Sequence, residues 1–497
     1  AILDVKLDKG ENDGIELLSR FRARRRLDIG LKYGTAFEQR IKALPGVERV
    51  QLAGSARRRK ETIGDLDIVV GVKPENHEDV ANAILALQGI ADVKGAGDSK
   101  ISLILEASIF EDGFSVGHID ANVMEAIGGD DYEQLESAGT IDAQVRLVPP
   151  EMFAFTLAYF TGSKEHNIAM RQRAIDRGLR LNEFGLIPED KAGELKGIEA
   201  AQYSLSAMTE QEIYSHLDLQ WVPPELREDT GEIQSGSEQK LPQLLELDTI
   251  QGALHNHTVV SDGEATLEQM ADAAQALGWT WLGIADHSPT LKVANGAPAD
   301  RLSEQGQKIR KYNQNWQDEG VNFRLFHGVE SDILSGGKLD HPDDVLSQLD
   351  YVVASVHAMT KWRGRDESEN TEELLKVLEH PATKVLGHPT GRILQGREGY
   401  EVDVHRLIDA MAEHIEEGRF KSIELNASPY RLDIDYRLCK YAKLRGVPVA
   451  ISPDAHSIRG LADIQYGVMT ARKGWLEEED VINSMSADAL AQQLALQ

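Results

Sequence analysis

The sequence predicts a multidomain chain, an α+β N-terminal part followed by an α/β barrel of parallel strands. Beyond residue 248, short apolar segments alternate with amphipathic ones through seven strand–helix repeats, the pattern of a parallel barrel. Before residue 235 the order is less regular, with strands at Val47–Leu52 and Ile68–Val72 set among helices and turns. Between the two lies a polar run, Asp229 to Lys240, rich in Glu, Gln, Ser and Gly, which reads as a linker.

A length of 497 residues allows two to four domains. One cysteine, Cys439, cannot form an intrachain disulfide, so a reducing cytoplasm is the expected location. No apolar run is long enough to cross a bilayer. The 82 acidic residues outnumber 53 basic ones, for a net charge of −29. That balance opposes general attraction to nucleic acid. Either the protein does not bind nucleic acid, or it works in concentrated salt, where an acidic surface maintains solubility.

In chain order, a basic run at residues 21–26 leads into a helix that continues through 35–44 and stops at Pro45-Gly46. After the strand Val47–Leu52 come Gly54, Ser55, Ala56 and the basic residues Arg57 to Lys60, then Gly64, Asp65, Leu66 and Asp67. Asp65 and Asp67 are two apart at the start of a strand, so both carboxylates face one way. Gly54 lets a phosphate approach the backbone, and the Ser55 hydroxyl can bond it. Paired carboxylates beside a phosphate cradle suit Mg²⁺ and nucleotidyl transfer. Later, Thr209 to Tyr214 reads as a capped helix start.

In the barrel half the strand candidates are 250–255, 279–286, 323–330, 351–356, 383–387, 421–426 and 447–452. Helices fit between them at 267–277, 372–379 and 404–417. The C-terminal ends of barrel strands are where sites form. In order, those ends carry His255 and His257, Asp286 and His287, Glu330, His357, His388, Glu424 and Asn426, then Asp454 and His456. Eleven of the fifteen histidines follow residue 250, and six of those lie at strand ends. One such histidine is usually just packed; six, with Asp262, Glu330 and Asp454, make a ligand set for two or three metal ions.

These residues carry two resemblances. The string from Gly54 to Asp67, with Tyr159, Phe160, Thr161, Gly162, Ser163 and the helix after them, resembles the family X DNA polymerases of the nucleotidyltransferase superfamily. The resemblance implies that Asp65 and Asp67 hold Mg²⁺ or Mn²⁺ in a palm. It implies a triphosphate at Ser55, Arg58 and the Gly64 backbone, with Gly54 beside it. Tyr159 and Phe160 take the sugar-discriminating place, Gly162 is a further nucleotide-binding residue, and Asn167 and Arg171 touch the nascent pair. The family's third palm carboxylate falls in register with Gln144; Asp142 and Asp120 are the candidates to replace it. The His-x-His, Asp-His, Gly-Val-Glu, Ser-Val-His, Gly-His-Pro and Asp-Ala-His strings resemble the PHP phosphoesterases.

Together the resemblances imply an α+β nucleotidyltransferase palm and thumb followed by a distorted (β/α)7 PHP barrel. The expected divisions are a helical or fingers remnant at 1–44, palm and early thumb at 45–185, and the rest of the thumb at 186–234. A linker at 235–247 and the PHP domain at 248–497 complete them. The PHP resemblance implies metal ligation by His255, His257, Asp262, His287, Glu330, His357, His388, Asp454 and His456, to Mn²⁺, Zn²⁺ or Fe. Arg392 and Arg431, just past strand ends, are candidates to steady a phosphate or a DNA strand. The implied activity is DNA repair with metal-dependent 3′–5′ exonuclease or 3′-end processing, acting on gapped or 3′-recessed DNA with deoxynucleoside triphosphates. The alternative is a phosphoesterase whose palm is an inactive DNA-holding scaffold. A monomer from a salt-adapted organism completes the expectation.

Overall fold

The computed structural model describes residues 24–97, 99–110, 139–194 and 198–495. Two compact units part between Leu241 and Pro242, inside the expected linker. Among the described residues no helix is long and apolar enough to cross a membrane.

The first unit opens with α1 (Leu27–Lys42), which buries Leu27, Leu31, Phe37 and Ile41. Its five-stranded sheet contains β1 (Val47–Leu52), β2 (Asp65–Val72), β3 (Ile90–Ala96), β4 (Lys100–Leu105) and β5 (Ile141–Val148), in the order β1-β2-β5-β4-β3. β2 pairs antiparallel with β1 and parallel with β5. Alternation along β5 buries Ile141, Ala143, Val145 and Leu147, so Asp142, Gln144 and Arg146 share the opposite face. That face continues the one bearing Asp65 and Asp67, because Asp65 pairs with Asp142 and Asp67 with Gln144.

Two helices follow, α2 (Phe153–Thr161) and α3 (Lys164–Ile175), with α3 capped by Ser163, which accepts from the His166 backbone. α4 (Glu210–His216) begins with the expected capping box, Thr209 and Glu212 each satisfying the other's backbone N–H. The polar stretch 229–240 is not an open linker. It contains a short helix, Glu232–Ser237. The Glu232 side chain is fully buried and accepts from the backbone of Asp229 at 3.0 Å and of Thr230 at 2.8 Å. It also lies 2.7 Å from His166 Nδ1. A buried, fully bonded acid within a polar run folds it back onto α3.

The second unit is a curled parallel sheet of β6 (Trp281–Ile284), β7 (Arg324–Leu334), β8 (Tyr351–Ser355), β9 (Thr383–Leu386), β10 (Ser422–Asn426) and β11 (Val449–Ser452), paired in sequence order. Between strands lie helices including α5 (Leu267–Ala276), α6 (Ala299–Glu319), α7 (Glu367–Glu379) and α8 (Val404–Glu416). α7 starts earlier than expected because Asp366 and Glu369 form a capping box.

The expected first strand, 250–255, is not a strand. Its backbone instead reaches both edges of the sheet: Gly283 N donates to Ala253 O at 2.9 Å and His257 N to Ala455 O at 2.8 Å. The buried Asn483 amide donates to Gly252 O and to Ile451 O, each at 2.7 Å. A side chain takes the bonds that a ladder would use, and the segment closes the barrel without regular geometry. Gly252 permits this, since a Cβ there would stand 2.2 Å from Trp281 O.

Candidate functional site

The barrel's strand ends converge on Glu330, which sits within β7 rather than at its end and is almost completely buried. His287 Nδ1 lies 2.7 Å from its Oε2, His388 Nε2 3.0 Å from Oε1, and His357 Nε2 3.3 Å from Oε1. His255 Nε2 stands 3.3 Å from Oε2. Asp454 Oδ1 lies 3.0 Å from His257 Nε2 and 3.5 Å from His255 Nε2. Asp262 approaches His456 at 3.4 Å and His287 at 3.6 Å. All nine residues read as ligands thus come together.

Among the described residues three overlapping groups have metal-compatible spacing: His257, Asp262, His287 and His456; His255, His257 and Glu330; and His287, Glu330 and His357. The donor set fits divalent ions on a direct test. His255 Nε2 and Glu330 Oε2 are buried polar atoms that make no well-formed hydrogen bond, although they face each other across 3.3 Å and His287 Nδ1 lies 2.7 Å from the same oxygen. A buried pair of this kind is costly, and a shared cation satisfies both atoms. Divalent ions held by these residues would supply a nucleophile at neutral pH and would neutralise phosphate charge.

The electrostatics match a cation site. Burial alone would lower His255, yet Glu330, Glu424 and Asp454 raise it well above the usual imidazole range. Burial also opposes charge on His357 and His456, but neighbouring carboxylates, Glu330 for the first and Asp262 for the second, lift them to about 10 and about 9. His257 goes the other way, to about 3, through burial and then His287 and His456. Glu330 and Asp454, despite burial, are held well below the carboxylate range by the imidazoles.

Around the ligands stand supports. Glu424, read only as lying at a strand end, accepts from His255 Nδ1 at 2.7 Å and from the His388 backbone at 2.6 Å. Asn426 donates to Asp454 Oδ2 at 3.0 Å. Asp332, which sequence reasoning missed, lies 3.0 Å from His357 Nδ1. Its spacing of two from Glu330 on one strand was the available signal. Asp286 is no ligand: it accepts from Thr258 and Ser261 and fixes the loop that carries Asp262. Carboxylates behind metal-bound histidines fix ring orientation. Glu424→Ala is therefore expected to weaken divalent-ion binding about 10–100-fold, read by metal titration of the stripped protein. Unchanged affinity would remove Glu424 from this role.

Arg431 Nε is 4.0 Å from Asp454 Oδ2, at the edge of the cluster. Arg392 donates through Nε to the Arg431 carbonyl at 3.1 Å and also reaches the Leu432 carbonyl, so it braces the loop bearing Arg431.

In the first unit, Asp65 and Asp67 stand half-buried on one face of β2. Burial and the neighbouring Asp65 push Asp67 up to about 7. Gly54, at a φ of +61°, lies so close that a Cβ would meet Asp67 Oδ2 at 2.3 Å. Gln144 Nε2 donates to Asp65 Oδ2 at 3.2 Å. Asp142 instead faces Lys94 Nζ at 2.6 Å. Asp120 lies outside the described residues.

The basic run expected at a triphosphate has partners within its own unit. Arg57 makes two bonds to Glu210, at 2.9 and 2.7 Å, and Arg58 pairs with Glu228 at 3.0 Å. The Arg58 guanidinium also rests against Gly162, where a Cβ would be 3.1 Å away. Ser55 and Gly64 flank this run, half-buried. The Tyr159 and Phe160 rings meet edge to face at 5.2 Å. Asn167 donates to the Tyr159 carbonyl at 2.8 Å, and Arg171 donates to the Asn167 carbonyl at 3.2 Å. Tyr159, Asn167 and Arg171 line one small pocket with Phe155 and Tyr214.

Residues 156–228 match the family described as DNA polymerase beta thumb, and residues 253–428 match the PHP domain. The DNA polymerase/3′-5′ exonuclease PolX of Bacillus subtilis (strain 168) is 36% identical over 463 residues, covering 93% of this chain and 71% of that protein. A probable phosphatase of Caldanaerobacter subterraneus subsp. tengcongensis is 30% identical over 253 residues, covering 48% of this chain and 89% of that protein. A crystal structure of Leishmania infantum polymerase beta, a ternary gap complex, is 18% identical and covers 45% of this chain and 76% of that one. Its TM-score of 0.33 is too low to bear on the assignment. Fold and site define a two-part enzyme, a polymerase-beta-type unit joined to a PHP domain with a metal-binding cluster. The chain belongs to the PolX family of DNA polymerase/3′-5′ exonucleases.

Proposed function

We propose that this chain is a DNA-repair enzyme whose barrel processes DNA 3′ ends while its first unit holds gapped or 3′-recessed DNA and a deoxynucleoside triphosphate. The observation that carries the reading is the convergence of nine ligand side chains on Glu330 and its neighbours. The ions are two or three of Mn²⁺, Zn²⁺ or Fe in the barrel and Mg²⁺ or Mn²⁺ at Asp65 and Asp67. His255, His257, His287, His357, His388 and His456, with Asp262, Glu330 and Asp454, are the barrel ligands. Arg431 steadies the strand's phosphate and Arg392 keeps the Arg431 loop in place. The enzyme acts in the cytoplasm as a monomer.

Similarity to probable phosphatases across the second unit supports a second reaction, removal of a terminal 3′-phosphate. The test is Mn²⁺-dependent processing of gapped duplexes ending in 3′-hydroxyl or 3′-phosphate. Loss of nucleotides from the first supports exonuclease action; release of phosphate alone from the second supports the phosphatase. Inertness toward both would overturn the reading.

The net charge of −29 belongs to a salt-adapted protein in this proposal. Exposed acidic segments such as Glu478-Glu479 repel one another across a Debye length of about 8–10 Å, which shrinks to about 3 Å in molar salt. Thermal stability and nuclease rate are expected to hold or rise up to molar KCl. A peak in both near about 0.1 M followed by decline would refute the adaptation and leave the sites untouched.

A further inference from the structure

We propose that the first unit binds a deoxynucleoside triphosphate with a single cation and does not transfer it, because Gln144 occupies the place a third carboxylate needs and Asp142 is tied to Lys94. The proposal rests on the reading of this unit as a nucleotide site.

Transfer of a nucleotidyl group forms a bond between a 3′-oxygen and the α-phosphorus and breaks the α–β anhydride. Pyrophosphate leaves, and the hydroxyl proton must pass to an acceptor. A two-ion arrangement also needs carboxylates enough for both attacking and leaving sides. The face formed by β2 and β5 offers Asp65, Asp67, Asp142, Gln144 and Arg146. Gln144 is directly paired with Asp67, and its amide points at Asp65, 3.2 Å away. It donates where an acceptor is needed. A neutral amide does not take the proton, and as an ion ligand its carbonyl oxygen brings no negative charge.

Asp142 does not compensate. It lies two residues back along the same face, beside Asp65 in register, and half of its side chain is exposed. Its carboxylate meets Lys94 Nζ at 2.6 Å, an ion pair reaching from β3 across β4. On the other side of Gln144, Arg146 lies over the Phe160 ring at 4.5 Å, so the next residue of that face is cationic. Among the described residues, two carboxylates, one amide and one guanidinium then remain beside the Lys94-paired Asp142, a place for one cation carried by a nucleotide and not for two.

The experiment uses the full chain carrying His257→Ala, which removes barrel nuclease from the readout. On a one-nucleotide gap opposite dC, with dGTP and Mg²⁺, gap filling should be undetectable. With a dideoxy-terminated primer, dGTP and Mg²⁺ should still stabilise the protein–DNA complex, and Asp67→Asn should abolish that stabilisation. Adding Gln144→Asp should raise gap filling at least about a hundredfold, whereas Gln144→Asn should not.

Any gap filling by the parent overturns the proposal, whichever carboxylate supports it, and so does failure of both Gln144→Asp and Gln144→Glu to create it. So does absence of any dGTP effect on the complex. Melting curves check each variant, and Gln144→Glu stands in should Gln144→Asp fail to fold. Nuclease assays on the chain with an intact barrel report separately on the 3′-end-processing reading.

Discussion

Replacing His257 with alanine, or Asp454 with alanine or asparagine, is expected to reduce metal-dependent 3′-end processing on the order of a thousandfold, roughly 4 kcal/mol of transition-state stabilisation. The size follows from position. His257 belongs to two of the three metal-compatible groups, so its loss weakens more than one ion position. Asp454 lies 3.0 Å from His257 and 3.5 Å from His255, on the segment that pairs beside them. DNA affinity should change less than about threefold, since phosphate contacts elsewhere dominate nucleic-acid binding. His257 also stacks on His456 at 4.1 Å and on His287 at 4.4 Å, so its removal leaves a gap. Asp454→Asn preserves shape and separates lost ligation from lost packing. Both variants retaining full nuclease activity, with normal melting curves, would refute the assignment.

The clustered residues proposed as metal ligands were legible as one group because the barrel obeys a positional rule. A histidine or acid after an apolar strand lies at the strand's C-terminal end whatever the details of packing. His255 and His257 were found by this rule although their own segment is not a strand; position survived an error in geometry. Asp332 escaped because β7 continues to Leu334, past the expected end at Glu330.

Long-range pairing was not legible. Arg57 and Arg58 lie beside a glycine and a serine and read locally as phosphate ligands. Their partners, Glu210 and Glu228, are 153 and 170 residues away. The polar run after Asp229 is a second case of long-range pairing, because nothing local marks Glu232 as the acid that His166 meets. Charge near a motif tells which ligand is electrostatically possible. Only the fold tells which charges are already paired.

Breaking the Glu210 pairing should be the largest single destabilisation of the first unit. Glu210 is buried and receives both Arg227, at 2.7 and 3.1 Å, and Arg57, at 2.9 and 2.7 Å. Arg227 is completely buried, its Nε donating to the Val222 carbonyl at 2.9 Å. Removing one member of such a set leaves an uncompensated buried charge, which costs about 3–5 kcal/mol. Glu210→Gln, which strands two guanidinium groups, should cost at least as much as Arg227→Met.

The pH dependence has a definite sign. Burial alone would raise the Glu210 carboxyl, but Arg227 and Arg57 outweigh it and hold the group well below the usual range. A carboxyl depressed in the folded state contributes its full stability above the unfolded value of about 4.3 and loses it as pH falls toward the folded value. In the parent chain, amide protection in α4 and in Gly54–Arg57 should therefore decline below about pH 4.3. Glu210→Gln should start lower at pH 7 and lack this part of the acid-dependent decline. Hydrogen exchange on those two segments at pH 7 and under acid provides the measurement. Equal protection in Glu210→Gln and the parent at pH 7 would show that the buried pair contributes nothing net to the unit.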